Sequence, residues 1–169
     1  MHGVKTNIAR WQVEYDADAT RVCYARVAQG SQITCLCKDC HNFAAALEQA
    51  FPPAARGVLD QLGIDHTKPA EVYTTGRVDS GLHQYGGWFH LVGCIESGAD
   101  AWRQIDKDGK SFTGELEPLS DHFQIGLTPR VALLPKPFHG KPVVQVEFET
   151  RIPWVLSEKE SASIIHPTG

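Results

Sequence analysis

The sequence has no long apolar stretch, since its hydrophobic runs extend over only a few residues. A membrane-spanning helix needs about 20 consecutive apolar residues, so we expect no transmembrane segment. Residues 1–7 lack the basic start and apolar core of a secretory signal, so we expect no signal peptide. The net charge is −4, and this lack of a basic excess disfavours binding to nucleic acid.

Several familiar signatures of chemistry are also absent. The Gly86-Gly87 pair lacks the spacing of a phosphate-binding loop, which ends in lysine followed by serine or threonine. The chain has no G-x-S-x-G nucleophile elbow, no H-E-x-x-H zinc motif and no EF-hand loop. It also has no internal repeat and no low-complexity segment. The sequence therefore indicates no substrate or reaction directly.

Cysteine is scarce and unevenly distributed. There are five cysteines, an odd number, and three of them are too close together in the chain to join distant loops by disulfides. Such usage is typical of a reducing compartment. Together with the missing signal pattern, it predicts a cytoplasmic protein.

The composition is that of a folded chain. Hydrophobic residues make up 42% of the 169 residues and aromatic residues 9%, which is enough for a packed core. This length predicts one domain over residues 1–169. We expect loose termini at 1–9 and 157–169 because these segments carry little hydrophobic pattern.

The first third of the chain combines two periodicities. Alternating apolar and polar residues predict strands over 10–15 and 21–27, joined by a turn at 16–20. From Cys40 onwards, apolar residues recur at spacings of three and four, which predicts an amphipathic helix capped by Asp39.

Prolines and glycines divide the next segment. The Pro52-Pro53 pair ends the first helix and begins a second one, for which Gly63 is the expected stop. A third short helix is predicted over 67–73. The later part of the chain reads as strands over 82–95, 112–116, 122–127, 131–134, 143–149 and 152–156. We therefore predict an α+β fold, mainly an antiparallel β-sheet with two or three short helices between residues 39 and 75.

The most specific chemical motif is the C-x-C-x-x-C segment formed by Cys35, Cys37 and Cys40. Thiolates this close can share one soft metal ion, and C-x-x-C turns bring two thiolates to the geometry that zinc requires. Zinc takes four ligands, so a fourth is still needed. Cys23 and His41 are the first candidates, and Cys94, His90 and water are the others.

Two other interpretations of these thiols stay open. Cys37 and Cys40 flank the predicted start of a helix, where the helix dipole lowers a thiol pKa, so a redox pair is conceivable. A thioredoxin-like site also needs a βαβ unit, and none is evident here. The thiols could instead be inert and simply pack in the protein, as we expect for Cys94. We favour metal because three clustered free thiols are an oxidation liability.

Residues 35–41 resemble a stretch of a known enzyme family. The segment is similar to the C-H-C-x-x-C-R stretch of the glutathione-dependent formaldehyde-activating enzymes, which are β-rich zinc-binding proteins. In that family a preceding strand carries C-x-C-G, whereas here Cys23 alone lies upstream. The resemblance implies a zinc-dependent enzyme acting on a small thiol adduct or aldehyde.

The whole chain is similar to a group of small bacterial proteins. Members pair a C-x-C-x-x-C-x-N-F stretch with a Gly-Ile-Asp-x-x-Lys-Pro-Ala-Glu segment and a Tyr-Gly-Gly-Trp-Phe-His segment. In this sequence these are residues 35–43, 63–71 and 85–90. This second resemblance implies no mechanism.

Aromatic and histidine residues cluster around the Gly86-Gly87 pair. Side chains two apart on a strand share a face, so Trp88 and His90 are expected together. One interpretation makes Tyr85, Trp88 and His90 the lining of a ligand pocket. The other, which we favour, makes this segment a core strand, since aromatics in β-rich chains more often belong to the core. The glycine pair predicts a bulge or a close approach to the backbone.

Four glutamates occupy alternating strand positions later in the chain. A solvated strand face explains them without a paired-carboxylate active site. They are Glu115, Glu117, Glu147 and Glu149.

The leading functional hypothesis is a structural zinc site in a binding or interaction module. The first alternative is the zinc-dependent enzyme that the family resemblance implies, and the second is a thiol redox protein. The sequence identifies no catalytic residue and no partner, and it leaves homo-oligomerisation open.

Overall fold

The computed structural model describes residues 3–107 and 112–160, which form nine β-strands and five short α-helices. The strands are β1 (Val4–Ile8), β2 (Trp11–Tyr15), β3 (Glu71–Arg77), β4 (His83–Ser97), β5 (Trp102–Gln104), β6 (Phe112–Gly114), β7 (Glu117–Ser120), β8 (Phe123–Thr128) and β9 (Val143–Ile152). The helices are α1 (Ala17–Ala25), α2 (Ser31–Thr34), α3 (Lys38–Ala45), α4 (Leu47–Ala50) and α5 (Pro53–Gln61). The predicted α+β class is confirmed.

Strand β4 is the centre of the sheet. The strand order is β1-β2-β4-β9-β8-β7, and β3 pairs with the first half of β4. All of these pairs are antiparallel. Because β4 is 15 residues long, it pairs with β3 near its start and with β2 near its end. The strand predicted over 82–95 is therefore confirmed, and β5 and β6 form a separate hairpin.

Helix α1 replaces the predicted turn and second strand, so that prediction is wrong. Asp16 caps the helix, since its Oδ1 accepts a hydrogen bond of 2.8 Å from the Ala19 N–H. The buried residues Thr20, Cys23 and Tyr24 then follow at helical spacing on one face. The apolar alternation over 21–27 is compatible with either structure, and the aspartate cap with burial at spacings of three and four favours the helix.

Three further expectations are corrected. Residues 1–9 were expected to be loose, but β1 lies in register with β2, from Val4 opposite Tyr15 to Ile8 opposite Trp11. The third helix predicted over 67–73 is wrong because β3 begins at Glu71. Its β-branched residues favour an extended chain once β4 provides hydrogen-bonding partners. No strand forms over 131–134.

The helical segment is largely divided where its prolines and glycines predict. The predicted helix from Cys40 is divided at Ala46 into α3 and α4, and Cys37 rather than Asp39 occupies the N-cap position. Helix α5 begins at Pro53, as predicted. Gly63 has a φ of 77°, the left-handed conformation expected of a helix stop.

The helices cover one face of the sheet, and the core lies between the helices and the sheet. Phe51, which follows α4, is fully buried and contacts the rings of Phe43, Phe89, Phe123 and Phe148 at centroid distances of 5.1 to 5.9 Å. The Thr150 hydroxyl donates to the Ala50 carbonyl on the same side. We call this side the helix-covered face. Within the described residues, no helix is long and apolar enough to cross a membrane.

The glycine pair in β4 marks a close approach, as predicted. The ring of Tyr73 lies against Gly86, so that a Cβ there would be 2.5 Å from it. A Cβ on Gly87 would lie 2.1 Å from the Glu71 carbonyl oxygen and 2.8 Å from the Phe148 ring. Position 87 therefore requires glycine for space, whereas a side chain at Gly86 would have to displace the Tyr73 ring.

Part of the C-terminal segment expected to be loose packs on the protein. Trp154 donates from Nε1 to the Glu158 carbonyl at 2.7 Å, and Glu158 lies 3.7 Å from Lys38 Nζ. Glu160 pairs with Arg77 and His83. The remainder of that prediction, residues 161–169, lies outside the described residues.

Candidate metal centre

The three clustered cysteines converge at the turn between two helices. Cys35 is the C-cap of α2, Cys37 is the N-cap of α3, and Cys40 lies in the first turn of α3. Their sulfur atoms all lie within 4.8 Å of one another, and the Sγ atoms of Cys35 and Cys37 are 3.1 Å apart. Tetrahedral zinc with four sulfur ligands separates them by about 3.8 Å, so these thiols are close enough to bind one metal ion.

Hydrogen bonds and burial shift the thiol pKa values of Cys35 and Cys40 in opposite directions. Hydrogen bonds from the backbone and the thiol of Cys37 lower the pKa of Cys35. Burial raises the pKa of Cys40, and the neighbouring thiols act in the same direction. The Cys40 N–H also points at Cys37 Sγ, at 3.4 Å. Cys35 therefore loses its proton more readily than Cys40, which is more buried.

Neither predicted fourth ligand belongs to the cluster. Cys23 is buried on α1 and donates to the Pro137 carbonyl at 3.2 Å. It was expected on a strand beside the cluster, and the helix moves it elsewhere. His41 is exposed and follows Cys40 directly, so it lies about 100° further round α3. Among the described residues, the group of metal-binding side chains here has three members.

The more distant candidates are also occupied elsewhere. Cys94 was expected to be buried but is only half-buried, and its thiol donates to Glu96 Oε1. His90 Nε2 bonds to the Ala132 carbonyl at 3.0 Å. An ion held by the three cysteines would therefore need its fourth ligand from outside this set.

A buried asparagine fixes the helix that carries the cluster. Asn42 Nδ2 donates to the Tyr85 hydroxyl at 3.4 Å and to the Pro153 carbonyl at 3.2 Å. Its Oδ1 accepts from the Val155 N–H at 2.8 Å. The Tyr85 hydroxyl in turn donates to the Asp39 carbonyl at 3.0 Å, and burial raises the Tyr85 pKa to about 12. These bonds join the start of α3 to β4 and to the chain after β9.

The chain after β9 passes close to the cluster. Residues 153–160, which we call the C-terminal strap, contact α3 through Asn42 and through the Lys38–Glu158 pair. The Trp154 ring packs on His83 with centroids 5.2 Å apart. Burial and the charge of Arg77 lower the His83 pKa.

Replacing Asn42 by alanine should detach the strap. The change leaves the Val155 N–H and the Pro153 carbonyl without their partner, so we expect a loss of about 2–3 kcal/mol in the free energy of unfolding. Amide hydrogen exchange at Val155 should also become faster. Asn7→Ala on the exposed face of β1 is the control, and equal exchange at Val155 in both variants would contradict this role of Asn42.

The three pocket candidates do not line one pocket. Tyr85 lies on the helix-covered face, since its hydroxyl reaches α3. Trp88 and His90 lie on the opposite face, at odd spacing from Tyr85 along β4. Both of their ring N–H groups reach the Ala132 carbonyl, and the buried His90 ring also packs against Phe138 with centroids 5.8 Å apart.

The sequence patterns did not predict the burial of two important residues, Asn42 and Glu147. Asn42 is fully buried on the apolar stripe of α3. The sequence indicates its structural role only in that asparagine is unfavourable inside a helix. Glu147 was assigned to a solvated strand face, yet only 2% of it is exposed. Trp102 of the β5–β6 hairpin contacts its carboxylate and contributes to this burial. No local sequence pattern indicates that contact.

Comparison with known proteins assigns no family. No protein-family model matches the chain, and neither the curated proteins nor the solved structures contain a match. The function is therefore inferred from the chemistry of the side chains.

Proposed function

We propose that this protein binds one zinc ion through Cys35, Cys37 and Cys40 and serves as a binding module whose metal accepts an external fourth ligand. The convergence of three thiols within 4.8 Å supports this proposal. Zinc combines thiolates readily with one nitrogen or oxygen ligand in a tetrahedral site. An iron–sulfur cluster generally uses four cysteines, and this segment supplies three.

The location of the ligands argues for a local role of the metal. All three lie on one short turn, so an ion closes a loop of a few residues and joins no distant elements. Cys37 is exposed, so a metal ion held by the three thiolates would be within reach of solvent. A thiol, imidazole or carboxylate from another molecule could occupy its fourth coordination position. We place the protein in the cytosol, where the five cysteines stay reduced.

The open position also keeps the zinc-dependent enzyme as a second candidate. Three protein ligands and a free position are the arrangement of catalytic zinc sites. Catalysis would need a substrate pocket beside the metal. Trp88 and His90, the residues first considered for that pocket, lie on the opposite face of the sheet from α3.

Metal content of protein purified without a histidine tag tests the proposal. We expect about one equivalent of zinc in the wild type and almost none in Cys37→Ser, because loss of one of three thiolates removes much of the affinity. Cys94→Ser is the matched control, since that thiol lies outside the cluster and should not affect zinc content.

Cobalt substitution then examines the fourth ligand. The visible spectrum should indicate a tetrahedral site with three sulfur ligands, and added thiol should shift it towards four. Less than a tenth of an equivalent of zinc in the wild type, unchanged in Cys37→Ser, would overturn zinc binding. In that case a reversible disulfide in mild oxidant, detected by alkylation and mass measurement, would favour the redox alternative.

A further inference from the structure

The sheet face opposite the helices carries an unusual set of side chains. Tyr73 on β3, Trp88 on β4, and Glu147 and Glu149 on β9 are neighbours there. The register places Trp88 opposite Glu147, and Gly86 between Tyr73 and Glu149. Residues directly opposite in antiparallel strands share a face, so the two aromatic rings and the two carboxylates point the same way.

Glu147 is a buried carboxylate with no basic partner among the described residues. Only 2% of it is exposed, and no described lysine or arginine nitrogen lies within ion-pair distance of Glu147 or Glu149. Buried charges in proteins are nearly always paired. Burial accordingly raises the Glu147 pKa, although hydrogen bonds from Trp102 and Gln145 act against this shift.

The two oxygens of Glu147 have different surroundings. Oε1 accepts hydrogen bonds from Trp102 Nε1 at 3.0 Å and from Gln145 Nε2. Oε2 accepts none from the described residues, and it is not among the buried polar atoms that lack a partner, so it keeps a small contact with solvent. One carboxylate oxygen is therefore held by two donors, while the other has no hydrogen-bond donor among the described residues.

The rings of Tyr73 and Trp88 lie on the same face of the sheet as Glu147, and Trp88 is its register partner. Tyr73 lies over Gly86 with 41% of its surface exposed, and its ring centroid is 6.5 Å from that of Trp88, at 52°. Burial raises the Tyr73 pKa, and the charges of Glu147 and Glu149 add to this effect. The negative potential of both carboxylates thus reaches the ring. Aromatic faces and carboxylates both attract cations.

The site is held rigidly by a loop. The Ala132 carbonyl accepts from Trp88 Nε1 at 3.1 Å and from His90 Nε2, while the Ala132 N–H donates to Gln145 Oε1 at 2.8 Å. Gln145 in turn donates to Glu147. This chain of hydrogen bonds fixes Trp88 and Glu147 together, and a preorganised site loses less entropy on binding.

We propose that Tyr73, Trp88 and Glu147 form a binding site for an organic cation that carries N–H donors, an alkylammonium or alkylguanidinium group. The cation lies against the two rings and donates a hydrogen bond to Glu147 Oε2. A metal ion is disfavoured because the site offers one available carboxylate oxygen among aromatic rings. A quaternary ammonium is disfavoured because it has no N–H for Oε2. This site is separate from the cysteine cluster and does not depend on zinc.

Titration of the ¹⁵N-labelled full-length protein with n-butylguanidinium and n-butylammonium chloride tests the proposal. The chain has four tryptophans, whose indole N–H signals are assigned by single Trp→Phe variants. We expect saturable shifts of the Trp88 and Trp102 signals, since one ring contacts the cation and the other bonds to Glu147. Trp11 and Trp154 should not move. Neutral n-butanol and tetramethylammonium should bind at least about tenfold more weakly.

Two variants separate binding from folding. Glu147→Gln keeps the shape but removes the charge, and we expect about tenfold weaker binding or more. Tyr73→Leu changes a half-exposed ring and should weaken binding while the protein stays folded. Trp154→Phe, in the C-terminal strap where the ring packs on His83, should bind as the wild type does. If Glu147→Gln does not fold, Tyr73→Leu decides the question by itself.

The source of the cation is examined with a peptide mimic. N-acetyl-arginine methylamide carries the same group in a peptide context. Tighter binding than n-butylguanidinium indicates an arginine side chain of a protein partner, and equal or weaker binding indicates a free small molecule. No saturable shift with any of these cations, or equal shifts with n-butanol, would overturn the proposal, as would unchanged affinity in Tyr73→Leu.

Discussion

Replacing Phe51 by alanine is expected to lower the free energy of unfolding by about 3–5 kcal/mol. The ring is fully buried and contacts four other phenylalanine rings, three of them on different strands of the sheet. Its removal leaves a cavity lined by side chains of β4, β8, β9 and α3, which cannot all close inward together. Urea unfolding measured by tryptophan fluorescence gives this free energy.

Val22→Ala is the matched control for this prediction. Val22 lies on α1 with 60% of its surface exposed, so the change should alter stability by no more than about 0.5 kcal/mol. A loss below about 1 kcal/mol in Phe51→Ala would mean that the helices do not pack on the sheet through this ring.

Replacing Gly87 by alanine should destabilise the protein by about 3 kcal/mol, although it adds a single methyl group. The new Cβ would meet the Glu71 carbonyl oxygen at 2.1 Å and the Phe148 ring at 2.8 Å. The carbonyl belongs to the backbone of β3, and the ring is packed in the core, so neither can move alone. We therefore expect faster amide exchange throughout β3 as it separates from β4.

Gly57→Ala is also a change from glycine to alanine, but it is expected to stabilise the protein. Gly57 lies inside α5, and apart from the backbone of its own helix and its chain neighbours nothing comes within 4 Å of a Cβ placed there. Alanine in a helix is more favourable than glycine, so we expect a gain of about 0.5–1 kcal/mol. A neutral Gly87→Ala would show that β3 and β4 can separate there without loss, and would remove the steric reason for the glycine pair.

The sequence by itself determined the class of fold, the central strand β4, the start of α5 at Pro53 and the cysteine cluster. These features follow from local physics. Proline and glycine restrict or extend backbone angles wherever they occur. Thiols within one short turn lie close together whatever surrounds them, so C-x-C-x-x-C predicts thiols close enough to share a metal ion without any knowledge of the fold.

Only the tertiary structure decided which residues complete and support the sites. The alternation over 21–27 suits a strand or a helix, and packing against β4 selects the helix, which removes Cys23 from the cluster. β3 becomes a strand because β4 satisfies its backbone hydrogen bonds. Glu147 is buried in part because Trp102 of the β5–β6 hairpin contacts its Oε1. Such contacts join residues distant in the chain, and no local periodicity records them.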